Sequence, residues 1–239
     1  MTGSKPLIGV LALQGGFEAH ERMLRVLDVQ VREVRTVADL EGVDGLVIPG
    51  GESTTMTLGI EREGLAEPLR ELVRPELSGA GDGWATGEGR VTREGRATGE
   101  GVEGQRAEGG VPVLGSCAGM IMLDREHLGL MDMRVERNAF GRQLQSFETD
   151  LRLDGRDWDP GGEGPVRAVF IRAPWIVEHG PDVEVLAEVE GHPVAARQNR
   201  ALAVAFHAEL TDDDRIHRMF LDMVAAAGSD RREPRYPVG

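Results

Sequence analysis

The sequence predicts an α/β fold in three layers: a doubly wound, mostly parallel sheet with helices on both faces. Three observations predict it. Short apolar runs alternate with stretches of helical period, the pattern of βαβ units. The early runs close on glycine turns, as parallel strands do before a crossover helix. One run enters Gly115-Ser116-Cys117-Ala118-Gly119 and leaves as a Met/Ile/Leu-rich helical stretch, which is a strand, a sharp turn and a helix.

The elements follow in order. Leu7 to Leu13 is an apolar strand ending at Gln14-Gly15-Gly16. From Phe17 to Leu27, Phe17, His20, Leu24 and Leu27 share one helical face. Val29 to Val34 alternates as a strand, and Val37 to Leu40 is a short connector. Gly45 to Pro49 is a buried strand closed by Gly50-Gly51-Glu52-Ser53-Thr54-Thr55, and a helical segment runs on to about Val73. After the cysteine turn, Asn138-Ala139-Phe140-Gly141 is a polar turn, and 154–164 is a Gly/Asp-rich loop. Strands are expected at Phe147–Leu153, Val166–Ile171, Val183–Val189, Pro193–Arg197 and Ala201–Phe206. Thr211-Asp212-Asp213-Asp214 is a helix start, and the apolar positions from Ile216 to Ala226 make a closing helix.

Residues 79–110 break the pattern, with 11 glycines in 32 residues and a partial repeat of Ala-Thr-Gly-Glu-Gly at 85–89 and 97–101. Such a composition cannot bury enough apolar surface to offset its ordering entropy, so a disordered surface insertion is expected.

Composition narrows the function. The net charge is −14, and Lys5 is the only lysine, so phosphate backbones are repelled and nucleic acid is excluded as a partner. The single cysteine rules out an internal disulfide framework and fits a reducing compartment. No apolar run approaches the ~20 residues of a membrane helix, and Met1–Pro6 does not read as a signal peptide. A soluble, cytoplasmic protein with no membrane partner is expected.

Cys117 carries the chemistry. Small neighbours allow a sharp turn that lifts the side chain out of the sheet, and the amides of the following helix favour a thiolate. The competing reading is a buried structural cysteine. A cysteine nucleophile needs a base, and the base needs an orienter. His207-Ala208-Glu209 ends an expected strand, where residues two apart point the same way. Among the other histidines, His127, His179 and His192 fall in loop or turn contexts, while His20 and His217 fall in helical stretches.

With these residues in view, the chain resembles the class I (triad) glutamine amidotransferases. Leu11-Ala12-Leu13-Gln14-Gly15, Pro49-Gly50-Gly51-Glu52-Ser53-Thr54, Arg137-Asn138-Ala139-Phe140-Gly141-Arg142-Gln143 and Phe170-Ile171-Arg172-Ala173-Pro174 narrow the likeness to the glutaminase subunits of pyridoxal 5'-phosphate synthase, the PdxT family. The resemblance covers nearly all of the chain outside 79–110, and implies one amidotransferase domain over 1–239. It implies hydrolysis of L-glutamine to L-glutamate and ammonia, with Cys117 as nucleophile, His207 as acid/base and Glu209 as its orienter. Gly51, Glu52, Ser53, Arg137, Ile171 and Arg172 match the family's substrate contacts. Ala118 and the backbone after Gly50 match the oxyanion hole, and Gln14-Gly15 matches a loop associated with that hole and with docking. The implied partner is a PdxS-type (β/α)8 synthase subunit in a large hetero-oligomer, which takes the ammonia. No cofactor and no metal is called for.

Three departures stand out. They are the insertion at 79–110, Ala208 where the family usually has proline, and a shortened stretch between Leu123 and His127 that implies an early end to the elbow helix. Two other readings compete: a non-catalytic regulatory subunit, and an amidotransferase subunit of another pathway. The intact Cys117, His207 and Glu209 argue against the first, and the Gly-Gly-Glu-Ser and Arg-Asn-x-Phe-Gly-Arg-Gln runs against the second.

Overall fold

The computed structural model describes residues 5–74, 110–140, 146–153 and 164–230. The expected insertion at 79–110 (except Gly110) and nearly all of the expected loop at 154–164 lie outside the described residues, as do Gly141, Arg142 and Gln143.

A seven-stranded sheet forms the middle layer. Its strands are β1 (Leu7–Leu11), β2 (Gln30–Val34), β3 (Gly45–Ile48), β4 (Val113–Ser116), β9 (Glu184–Val189), β10 (His192–Gln198) and β11 (Ala201–Val204). They are ordered β2-β1-β3-β4-β11-β10-β9. The pairings from β2 to β11 are parallel, and β11-β10 and β10-β9 are antiparallel. Strands β3, β4 and β11 are buried at every residue, which is why they read as unbroken apolar runs rather than alternating ones.

Helices cover both faces. On one, α1 (Phe17–Val26) and α5 (Arg215–Asp230) meet through His20 and His217. A side chain at Gly45 would run into Phe220 and Val224 of α5, so glycine there lets α5 lie against the sheet. On the other face, α4 (Ala118–Leu123) packs against α2 (Ser53–Arg62), with α3 (Ala66–Val73) following α2. The adjacent residues Gly115 and Ser116 show the alternation: Gly115 faces Gly119 and Leu123 of α4, while Ser116 faces His20 of α1.

The structure corrects the expected elements in several places. The single helical segment to Val73 is two helices, because α2 ends in a Schellman motif. Gly64 takes φ 66°, its N–H donates to Glu61 O, and Leu65 N–H donates to Ile60 O. Two unexpected strands, β5 (Met133–Glu136) and β8 (Trp175–His179), pair antiparallel. His179 therefore ends a strand and His192 opens one, rather than lying in loops. The Trp175 and His192 rings stack at 3.6 Å, which ties this small sheet to the large one. A third sheet pairs β6 (Ser146–Leu151) with β7 (Val166–Ile171). Helix α4 stops at Leu123, as the shortened stretch after it predicts.

Candidate active site

The site forms where the central parallel strands end. Strand β4 stops at Ser116, and Cys117 turns the chain with φ 49° and ψ −105° while its N–H donates to Val204 O at 2.8 Å. A β-carbon residue at positive φ is strained, and it is held here by what surrounds it. A side chain at Gly119 would stand 2.0 Å from Ile48 O, and one at Gly50 would stand 2.5 Å from His207 Cε1. Only glycine lets β3, the elbow and His207 approach this closely.

His207 arrives by a different route from the one expected. Strand β11 ends at Val204, and His207 precedes a 3-10 turn over Ala208–Leu210. Its N–H donates to Val169 O, and Leu210 N–H donates back to His207 O. Strand alternation therefore does not align the pair; the 3-10 turn does. His207 Nδ1 lies 2.7 Å from Glu209 Oε1, so alanine at 208 does not loosen the contact. On its other side the Cys117 side chain favours the charged form of His207. Burial opposes charge on His207, but Cys117 and Glu209 together outweigh it and raise the pKa to about 10. An imidazolium therefore faces the sulfur at neutral pH. Burial likewise opposes charge on Glu209, yet His20 and His207 together hold its carboxyl well below the usual carboxylate range.

A cavity of about 340 Å³ opens over Cys117 and His207. Gly51, Glu52, Ser53, Ala118, Arg137, Ile171 and Arg172 all line it, so the structure gathers every expected substrate-contact residue around the sulfur. Arg137 donates to Ser53 Oγ and Thr54 Oγ1, each at 3.0 Å, which fixes its guanidinium at the rim. Asn138 at φ 51° and Arg172 at φ 45° are two further non-glycine residues at positive φ in the lining. Glu52 caps α2: its carboxylate accepts from Thr54 N, Thr55 N and Thr55 Oγ1, which lower its pKa to about 2.

Gln14 and Gly15 do not line the cavity. They hold the loop that does. Gln14 Nε2 donates to Glu52 O at 3.0 Å, and Glu52 N donates to Gln14 Oε1 at 3.1 Å. Gly16 N–H donates to Gly50 O, which fixes the 50–51 peptide so that its own N–H points away from Gly16.

The sequence profile of the SNO glutamine amidotransferase family matches residues 10–89 and 97–226. The chain belongs to that family. Among curated relatives, the pyridoxal 5'-phosphate synthase subunit PdxT of Mycolicibacterium vanbaalenii is 44% identical over 91% of this chain and 97% of its own. The same subunit from Frankia alni is 45% identical over 95% of this chain and all of its own. A crystal structure of a glutamine amidotransferase superposes with a TM-score of 0.70 at 36% identity, covering 91% of this chain and 98% of that one. A more distant glutamine amidotransferase from Thermotoga maritima, 12% identical with a TM-score of 0.53 over 98% of this chain and 88% of its own, shares the fold.

Sequence reasoning missed several residues at this SNO-family site. Thr54, Asn138 and Pro174 line the cavity and stand inside the motifs that flagged their neighbours, so the motifs could have delivered them. Ile121 lies one helical turn beyond Cys117. Ser116, inside the elbow motif, and His20, which no local pattern marks, touch Glu209 from behind, at 3.4 Å and 3.2 Å to Oε2. Among the described residues, no group of three His, Cys, Asp or Glu side chains could hold a metal ion.

Proposed function

We propose that the chain is the glutaminase subunit of a pyridoxal 5'-phosphate synthase: it hydrolyses L-glutamine to L-glutamate and ammonia, and passes the ammonia to a PdxS-type synthase subunit. The observation that carries this reading is the Cys117–His207–Glu209 cluster at the base of a cavity, in a chain so close to the PdxT subunits over almost its whole length.

The residues divide the chemistry among themselves. The Cys117 thiolate attacks the carboxamide carbon of glutamine, and the backbone N–H groups of Gly51 and Ala118 receive the developing oxyanion. His207, charged beside the sulfur, gives its proton to the departing ammonia and leaves a γ-glutamyl thioester. It then takes a proton from the water that hydrolyses the thioester. Glu209 holds the imidazole with Nε2 toward the sulfur and stabilises its charge. At the far end of the substrate, the arginines at the rim suit the α-carboxylate and Glu52 suits the α-ammonium.

Domain organisation and location follow from the same reading. The whole of 1–239 is one amidotransferase domain acting in the cytoplasm, and among the described residues no helix is long and apolar enough to cross a membrane.

The test is ammonia release from glutamine by the purified chain, alone and with a PdxS-type subunit, with Cys117→Ala as control. Partner-stimulated release that Cys117→Ala abolishes is the expected result. A wild-type chain silent with its partner, or an active Cys117→Ala, would overturn the proposal.

A further inference from the structure

Behind the Cys117–His207–Glu209 row lies a second row of buried polar side chains. His20, Ser116 and His217 have no solvent exposure. They come from three elements, α1, β4 and α5, separated by 96 to 197 residues in pairwise contacts. His20 is the hub. Its Nε2 lies 3.2 Å from Glu209 Oε2 and 3.1 Å from Ser116 Oγ, and its Nδ1 lies 2.9 Å from His217 Nε2.

One assignment of hydrogens satisfies these contacts. An ionised carboxylate only accepts, so His20 Nε2 must carry the proton that points at Glu209. In the neutral ring Nδ1 is then an acceptor, and His217 Nε2 is the donor. His217 Nδ1 is left as a lone pair, which agrees with its having no hydrogen-bond partner among the described residues. Burial, and then the neighbouring His20, push the His217 pKa down to about 3, so His217 stays neutral as the chain of donors requires. Glu209, from the facing 3-10 turn, and Asp214, which immediately precedes α5, are the carboxylates that act on His217.

We propose that His20 is a positioning residue of the site: ordered by His217, it donates to Glu209 Oε2 together with Ser116, and so holds Oε1 in line with His207 Nδ1. This rests on the glutaminase reading for its consequence in turnover, but not for the geometry it asserts. Without the two donors Glu209 could rotate, and the orientation of His207 would no longer be imposed. A histidine that merely fills the core between α1 and α5 would have no such effect.

The decisive comparison is His20→Leu, which keeps bulk but no donor, with His20→Gln, whose amide can both donate to Glu209 and accept from His217. In the complex with a PdxS-type subunit, His20→Leu is expected to lower kcat about 30-fold, the effect of losing one hydrogen bond to a charged group, with KM changed less than about twofold. His20→Gln should restore most of the loss. Cys117 is the only cysteine, so iodoacetamide modification of the full chain alone reports its environment directly. Its rate at pH 6 should fall about tenfold in His20→Leu, because a loosened Glu209 supports the facing imidazolium less well. Wild-type kcat and alkylation in a folded His20→Leu would overturn the proposal. Should His20→Leu fail to fold, 15N NMR of the wild-type imidazoles at pH 8 decides: His20 must be the Nε2–H tautomer, and an Nδ1–H tautomer or a charged ring overturns the assignment. The alkylation and NMR arms need no glutamine. A wild-type chain that releases no ammonia would therefore remove the functional reading while these arms still decide the role of His20.

Discussion

Glu209→Gln is the substitution whose outcome the structure constrains most tightly. Glu209 is buried and accepts on both oxygens, from His207 at Oε1 and from His20 and Ser116 at Oε2. Glutamine has the same shape but one oxygen and one NH2, so one of its two sides must meet a donor with a donor. Turning the NH2 toward His20 would force that ring to exchange its proton between nitrogens, and His217 with it, because His20 Nδ1 already accepts from His217. Turning it toward His207 requires only one ring to change. The NH2 should therefore face His207 and convert it to the tautomer with Nε2–H, which cannot take a proton from the sulfur. A wrong-tautomer base costs on the order of 10³ to 10⁴ in kcat. Folding should suffer little, since an amide is easier to bury than a carboxylate. The assay is ammonia release by the complex with a PdxS-type subunit, with thermal unfolding of the variant as control. A folded Glu209→Gln protein within tenfold of wild-type kcat would refute this account of the carboxylate.

Stability should peak near pH 6.5. His207 is raised to about 10 in the folded chain, so its contribution is complete below pH 6.5 and is lost as pH rises toward 10. His217 is lowered to about 3, so below pH 6.5 the unfolded chain takes up a proton that the folded one refuses, and stability falls with pH, by at most about 1.4 kcal/mol per unit for one proton. Urea midpoints at pH 5, 6.5 and 9 test both limbs; Cys117→Ala should flatten the alkaline limb and His217→Leu the acid one, and a monotonic profile in wild type would contradict the assignment. Gly119→Ala places a methyl 2.0 Å from Ile48 O, a backbone atom that cannot turn aside. It should cost about 3 kcal/mol and lower Tm by about 6–12 °C, whereas an unchanged melting curve would mean that the elbow has slack. Joining Arg74 to Gly110 through a short glycine linker should leave kcat within about twofold, since Val111 N–H already donates to Leu72 O at 2.9 Å and a shorter loop closes more easily. A collapse of activity would assign the deleted segment a working role.

What was legible in the sequence follows burial. Strands buried on both faces, such as Gly45–Ile48 and Val113–Ser116, announce themselves as apolar runs. Met133-Arg134-Val135-Glu136 does not, because a short peripheral strand with alternate charged residues in solvent has little apolar signal. The break between α2 and α3 was written in Gly64, but a single glycine in a helical pattern is ambiguous until its φ is known. The pairing of His207 with Glu209 was legible although its expected geometry was wrong, because both a strand and a 3-10 turn can bring side chains two residues apart to one side.

The sequence by itself determined whatever depends on neighbours along the chain: the parallel core strands, the small residues around Cys117, the motif loops and the family to which they belong. Glycines at 115 and 119 declare an elbow because a close backbone approach requires them whatever surrounds them. Only the tertiary structure decided that Gln14 clamps Glu52 and that His20 and Ser116 stand behind Glu209. Those contacts join residues far apart in the chain, and a buried histidine has the same local signature whether it fills space or orients a carboxylate. Its partners distinguish the two, and they are assembled only when α1 and α5 pack on the same face of the sheet.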